Sequence, residues 1–343
     1  MSSTSIQRTC SYAEAIREAL RQEMLLDERV FLLGEDIGLY GGSFHVLEGL
    51  FEEFGPERIV ETPISEAGFT GVAIGAALTG SRPVVEFMFS DFLAVAMDQI
   101  VNQAAKYRFM FGSTCSIPLV IRTPSGCGTG AASQHSQSIE SWFCHVPGLK
   151  VVVPSTPYDA KGLMTAAIHD PNPVLVFEQK KLYSSRGIVP EEVYEIPIGR
   201  AAIRIEGSDV TVATYGRMVP MVMEALMQRS CFSRRVEVID LRTLAPLDHT
   251  TLWKSVRKTG RLMIVHEAVK NGGVGAEVSA AVCEDPQTFK ALKAPVLRIC
   301  GKKTPIPFAP DMEAAAVPCI LDIVKGLEKL LSRCCHKNQN RLD

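Results

Sequence analysis

Short, nearly continuous apolar runs recur along the first half of the chain: VFLLG (30–34), PVVEFMF (83–89), IPLVIR (117–122), LKVVVP (149–154) and PVLVFE (173–178). Longer stretches of helical character lie between them, near 66–80, 91–110 and 157–169. A strand that is apolar at every position leaves no face for water. Such strands belong in a parallel sheet with helices on both faces. After Ile196 the pattern restarts with DVTVATYG, RRVEVIDL, GRLMIVHE and APVLRIC, alternating with helical segments near 217–230, 247–259, 274–283 and 315–331. The expected fold class is therefore α/β, with two doubly wound domains in series. We place the first at residues 1–195 and the second at 205–332, with 333–343 as a tail. The stretch EEVYEIPIGRAAIRIEGSD (191–209), with Pro, Gly and charges, reads as a linker. Ser11 and Glu14 form a capping-box signature that opens the first helix.

Bulk properties narrow the function classes. The 343 residues are enough for two domains, and 46% hydrophobic with 22% charged is ordinary for a globular chain with a sizeable core. A formal net charge of −2 gives no general attraction to nucleic acid or to an acidic membrane surface. Apolar runs break well before the ~20 residues of a membrane span. The opening MSSTSIQRTC lacks the apolar region of a signal peptide. Ten cysteines are scattered without a C-x-x-C pair, which fits a reducing, cytoplasmic location.

In open α/β sheets ligands sit at the carboxyl ends of strands. The loops of interest are therefore GEDIGLYGGSF (34–44), ETPISE (61–66), MFSDF (88–92), TPSGCGTGAASQHSQS (123–138) and HDPNP (169–173). Glu66 stands at the mouth of EAGFTGVAIGAALTG. One reading is a first-turn carboxylate matched to the positive end of a helix. The other is a proton-handling acid in a dry pocket, its pKa raised by burial. Gly68, Gly71, Gly75 and Gly80 each cost up to ~1 kcal/mol inside a helix. Close approach of another helix, at a subunit interface, would offset that cost.

His135 follows a glycine loop and is either structural or functional; nothing at metal-ligand spacing surrounds it, so zinc is not expected. Gly126, Gly128 and Gly130 imitate a dinucleotide fingerprint, but the spacing is G-x-G-x-G and the following acid is missing. Asp170-Pro171-Asn172-Pro173 is either a turn or part of an oxygen-rich site for a hard cation.

Taken together, GEDIG, YGGSF, FGPERIVETPISEAGFTGVAIGAAL, EFMFSDF, DQIVNQAAKYRFMFG, AASQHSQS, PGLKVVVPSTPYDAKGL and EVIDLRTLAPLD closely resemble one family. It is the beta subunit of the thiamine-diphosphate-dependent decarboxylating component of 2-oxo acid dehydrogenase complexes. The resemblance runs from about residue 8 to 330 and is strongest to the acetoin and bacterial pyruvate branches. It implies a transketolase-like pyrimidine-binding domain followed by a transketolase C-terminal-like domain for assembly and docking. It implies that Glu66 hydrogen-bonds a ring nitrogen of the aminopyrimidine, so that the cofactor's own imino group can deprotonate the thiazolium carbon. Met88 and Phe92 would line the pyrimidine, with core packing as the plain alternative. His135 would handle protons as the acyl group passes to lipoamide. A structural K⁺ would fall on Leu119, Ala167, Ile168, Asp170 and Asn172, the first three through carbonyl oxygens alone.

Thiamine enzymes hold the diphosphate through Mg²⁺ on a G-D-G…N stretch, and these 343 residues contain no G-D-G. The family therefore implies an alpha subunit that supplies the Mg²⁺–diphosphate half, an alpha2beta2 heterotetramer, and a lipoyl-bearing acyltransferase as the next partner. The substrate would be a small 2-oxo acid such as pyruvate, or acetoin. A branched-chain substrate, a noncatalytic scaffold and a transketolase-like activity stand as alternatives.

Overall fold

The computed structural model describes residues 8–332; the segment read above as a tail lies outside them. The chain forms two compact units. The first comprises the chain up to Thr129, Gln134–Ile198 and Leu244–Pro246; the second comprises Gly130–Ser133, Gly199–Thr243 and the chain from Leu247. Each unit is built around its own largely parallel sheet with helices packed on it.

In the first unit, β1 (Thr9–Ser11) leads into α1 (Tyr12–Leu26) through the expected capping box. Glu14 N–H donates to Ser11 Oγ at 3.1 Å, and Ser11 N–H donates to Glu14 Oε2 at 2.5 Å. The central sheet contains β2 (Val30–Gly34), β3 (Ile59–Glu61), β4 (Arg82–Glu86), β5 (Val120–Ser125), β6 (Lys150–Val152) and β7 (Val174–Gln179). Its order is β6-β7-β5-β4-β2-β3, and every one of these neighbouring pairs is parallel. A short strand returning from later in the chain, Thr243–Ala245, joins at the β6 edge. β8 (Arg186–Ile188) pairs separately with β1. Strands β5 and β7 are buried at all six positions, as uniformly apolar runs require when both faces are covered.

The covering helices are α1, α2 (Leu50–Phe54), α3 (Glu66–Leu78), α4 (Tyr107–Met110), α5 (Glu140–Cys144) and α6 (Pro157–His169). α6 is buried along almost its whole length, from Pro157 to Ile168, and packs against α1. The single helix expected near 91–110 is instead a 3₁₀ segment (Ser90–Ala96), a π segment (Asp98–Ala104) and α4. This stretch packs on α3 and only grazes its exposed glycine side. A methyl group added at Gly71 would reach Gln99 Cγ at 4.0 Å.

The returning strand Thr243–Ala245 is β12, in the first sheet; the second unit contains β9 (Ala202–Ile205), β10 (Val210–Thr214), β11 (Val236–Asp240), β13 (Leu262–Val269) and β14 (Leu297–Gly301). Its own sheet has the order β14-β13-β10-β11-β9, parallel except for the β11–β9 pair. β9 lies inside the stretch read as a linker, because an antiparallel edge strand with three half-buried residues and one exposed carries little apolar signal. Helices α7 (Met218–Met227), α8 (His249–Thr259), α9 (Val274–Glu284), α10 (Pro286–Ala291), α11 (Pro310–Ala316) and α12 (Ile320–Ser332) complete the unit. Its core joins Val212, Val238 and Val265 to Val222, Ile323 and Leu327. No helix among the described residues is long and apolar enough to cross a membrane.

One buried group makes the second unit sensitive to acid. His266, on β13, is fully buried, and its Nδ1–H donates to the Ala268 carbonyl at 3.0 Å. Cys300 Sγ lies 3.3 Å from the remaining ring nitrogen. Burial pushes the imidazole pKa down to about 4, against the hydrogen bond to Ala268. Above pH ~6.5 the ring is neutral in both folded and unfolded chains. Between there and about 4 only the unfolded chain takes up the proton, so stability falls as pH falls. At pH 5 the loss from this one group is about 2 kcal/mol. Thermal melts of the full chain at pH 7 and pH 5 are expected to separate more for wild type than for His266→Gln.

Candidate functional site

From the end of β2 the chain leaves toward β3, whereas from the end of β4 it leaves toward β5 on the opposite side. That reversal opens a crevice outside the carboxyl ends of β2 and β4, where ligands of open α/β sheets bind. The loops that surround it include 34–44, 61–66 and 87–92.

Glu66 begins α3 and is buried. One turn on, Phe69 meets Phe87 edge to face at 5.3 Å between centroids, which ties the start of α3 to the exit of β4. The 3₁₀ segment Ser90–Ala96 packs on α3. Met88 and Phe92 are half-buried, on the segment that leaves β4. Beyond β5, His135 is half-buried between two rings. Phe89 is 4.7 Å and Phe92 5.3 Å from it, both nearly perpendicular. The fold thus brings Phe92 and His135 together and sets Glu66 and Met88 on adjoining elements.

Glu35, immediately after β2, escapes sequence reasoning although its loop is one of those singled out. It is 3% exposed, and its Oε2 has no hydrogen-bond partner among the described residues. Burial raises its pKa, and the charges of Glu66 and Asp36 raise it further. Glu35 is a buried acid with an orphaned oxygen near Glu66, and the loop after β4 carries the half-buried apolar side chains Met88 and Phe92. That combination suits a flat, nitrogen-bearing ring such as an aminopyrimidine. No group of three or more His, Cys, Asp or Glu able to hold a metal occurs among the described residues. Buried acids and half-buried apolar side chains are of the kind that suits the ring half of thiamine diphosphate.

Beneath the loops lies a buried charge cluster. Arg122 on β5 donates twice to Glu178 on β7, at 2.8 and 2.6 Å, and once more to Glu86 on β4. Tyr183 O–H donates to Glu178 at 2.7 Å. Burial, against the pull of Arg122, raises Glu86 to about 7. Gly42 has φ +82, and a methyl group there would sit 2.4 Å from Glu86 Oε1, so the 34–44 loop rests directly on the cluster.

The residues expected to hold a monovalent cation gather at the opposite end of the sheet. Ala167 and Ile168 end α6, Leu119 precedes β5, and Asp170 caps the helix. The structure gives the side-chain oxygens here other partners. Lys150 Nζ donates to Asp170, Asn172 donates to Asp170 at 2.9 Å, and Arg108 donates to Asn172 Oδ1 at 2.7 Å. The Ile168 carbonyl accepts from Arg82 at 2.7 Å.

Two family models match the chain in order: the transketolase pyrimidine binding domain over residues 8–186 and the transketolase C-terminal domain over 199–322. With the crevice described, they define a thiamine-type protein of transketolase architecture. A solved chain described as a split gene transketolase, inactive beta4 tetramer, matches at TM-score 0.75 with 22% identity, covering 94% of this chain and 98% of its own. The more particular relationship lies in sequence. The chain is 44% identical over 328 residues to subunit beta-2 of the mitochondrial pyruvate dehydrogenase E1 component of Oryza sativa subsp. japonica, covering 94% of this chain and 86% of the relative. It is also 44% identical over 336 residues to the beta subunit of acetoin:2,6-dichlorophenolindophenol oxidoreductase of Bacillus subtilis, covering 94% and 98%. The pyruvate dehydrogenase E1 beta subunit of Rhizobium meliloti follows at 43% over 330 residues, covering 96% and 70%. The chain belongs to this family of pyruvate dehydrogenase E1 and acetoin oxidoreductase beta subunits.

Removing one partner from a buried ionic cluster strands the others. Arg122→Met is expected to cost about 3–5 kcal/mol in denaturant unfolding. Arg21→Met, which breaks the exposed Arg21–Glu53 pair, should cost less than about 1 kcal/mol.

Proposed function

We propose that this chain is the beta subunit of a thiamine-diphosphate-dependent pyruvate dehydrogenase component, which decarboxylates the 2-oxo acid and passes the acyl group to lipoamide. The observation that carries this reading is the buried acid pair Glu35 and Glu66, with the half-buried Met88 and Phe92 on an adjoining element, in a chain of this family. Bound thiamine diphosphate supplies the carbanion chemistry. Glu66 holds a proton at a ring nitrogen of the pyrimidine, Met88 and Phe92 orient the ring and exclude water, and His135 moves a proton where the acyl group leaves. The first domain does this work; the second serves assembly and docking of the lipoyl-bearing acyltransferase. Equal identity to the Bacillus acetoin enzyme supports acetoin as the second substrate reading.

The diphosphate and Mg²⁺ belong to an alpha subunit. In support, Val72 on the glycine-bearing side of α3 is 62% exposed, and Ile64, just before the helix, is 80% exposed. Phe109 and Met110 are likewise 87% and 63% exposed. Such apolar exposure suits a permanent interface.

Copurified with its partner, Glu66→Ala should retain assembly on gel filtration and lose turnover by on the order of 10²–10⁴-fold in a dye-reduction assay. Near-wild-type turnover would remove Glu66 from the mechanism.

K⁺, where bound, is held by Leu119, Ala167 and Ile168 through the second lone pairs of carbonyl oxygens that already accept from Val174 N–H, Asp170 N–H and Arg82, together with Asp170 and Asn172. The end of α6 contributes favourable negative potential. Exchanging K⁺ for choline at constant ionic strength should lower the melting temperature of the assembled enzyme. An unchanged value counts against the site.

A further inference from the structure

The geometry points to Lys180 as a positioning residue that fixes His135. This inference rests on the role given to His135 above. Lys180 follows β7 directly and is 6% exposed, whereas its neighbour Lys181 is open to water. An ammonium is withdrawn from water only where other groups replace its hydration. Here Lys180 Nζ donates to the backbone carbonyl of His135 and lies 5.0 Å over the ring of Phe89. Phe89 is the ring closest to the His135 imidazole. One buried charge therefore grips the histidine's main chain and the aromatic wall beside its side chain together.

The other side of the loop is held as well. Gln137 N–H and Nε2 donate to Asp91 Oδ1 at 3.3 and 2.9 Å, and Ser90 Oγ donates to the Gln137 carbonyl at 3.2 Å. Residue 137 is thus tied to the 3₁₀ segment that carries Phe92, and residue 135 is tied to the end of β7. With Lys180 removed, the loop keeps its anchor at 137 and loses the one at 135. The imidazole can then swing away from Phe89 and Phe92. A displacement of about 1 Å at a proton-transfer group costs on the order of 10²-fold in rate.

The test uses the chain copurified with its partner and compares Lys180→Met, Lys180→Arg, His135→Ala and the Lys180→Met/His135→Ala double variant. Two rates are followed: dye reduction, and acyl transfer to a lipoyl domain. A third readout, independent of turnover, is the rate at which diethyl pyrocarbonate modifies His135, read by mass spectrometry. Lys180→Met should lower kcat for acyl transfer by ten- to a hundredfold with little change in KM or in dye reduction. It should speed modification of His135 several-fold and add no further loss on the His135→Ala background. Lys180→Arg keeps charge and donor and should recover part of the transfer rate.

If His135→Ala itself spares acyl transfer, the role of His135 fails, while the modification rate still decides whether Lys180 holds it. If His135→Ala is impaired but Lys180→Met matches wild type in transfer and modification, the inference about Lys180 is overturned. Should Lys180→Met not assemble, Lys180→Gln, which removes the charge and shortens the reach, carries the test. Wild-type modification and transfer rates in that variant overturn the inference, and a change in both upholds it.

Discussion

The guanidinium of Arg122 is 1% exposed in the middle of an otherwise apolar parallel sheet. A charge there is tolerable only because three strands share the cost: β5 carries the arginine, and β4 and β7 carry Glu86 and Glu178. Taking such charges out of water costs several kcal/mol each before pairing. Their contribution is therefore better sought in geometry than in net stability. Contacts lead outward from the cluster. Tyr183 holds Glu178, and its ring lies 5.3 Å from Phe44; Phe44 lies 5.8 Å from Phe89; Phe89 lies 4.7 Å from His135. The loop 34–44 rests on Glu86 where Gly42 lacks a side chain. The strand ends and the loops that carry the site are thus referred to one buried centre.

The frame of the fold is legible because a doubly covered parallel sheet imposes a demand that a sequence can express only with unbroken apolar runs. VFLLG, PVLVFE and DVTVATYG answer to β2, β7 and β10. Legibility ends where burial is partial. Ala202–Ile205 pairs along one edge with exposed and half-buried residues, and its charges and neighbouring glycines look like linker. The stretch 91–110 has the composition of a helix and coils as 3₁₀ and π turns because it follows the surface of α3. Tertiary contact, not local propensity, decides its winding.

The candidate site divides in the same way. Glu66 announces itself, since an acid opening a small-residue helix is conspicuous. Glu35 does not, because an acid in a loop is ordinarily solvated, and only its orphaned oxygen and its proximity to Glu66 set it apart. Lys180 and Lys181 are indistinguishable as letters. Which of two adjacent lysines is buried depends on the turn that follows β7, a 3₁₀ segment at Lys180–Leu182. The Asp170 turn shows the converse. Its oxygens look like cation ligands in sequence, and the partners that engage them, Lys150 and Arg108, come from distant positions.

The glycines of α3 sharpen the question of what lies beyond the chain. Gly68 has an internal reason, since a methyl group there would meet Ser65 Oγ at 2.5 Å. Gly71 only just touches Gln99, and Gly75 has nothing within 4 Å. A helix glycine without a neighbour forfeits up to ~1 kcal/mol relative to alanine for no gain inside the chain. On the proposed reading the gain comes from outside, through close approach of another backbone along the exposed side that also carries Val72. On the proposed reading, that same helix starts with the proton-handling acid. A subunit seated on Gly75 and Val72 would bear on the element that aims Glu66, so assembly and the placing of the acid become one event. That reading gives a physical reason for dividing a cofactor site between two chains: the half that grips the ring would be held in place by the subunit that brings the phosphate anchor.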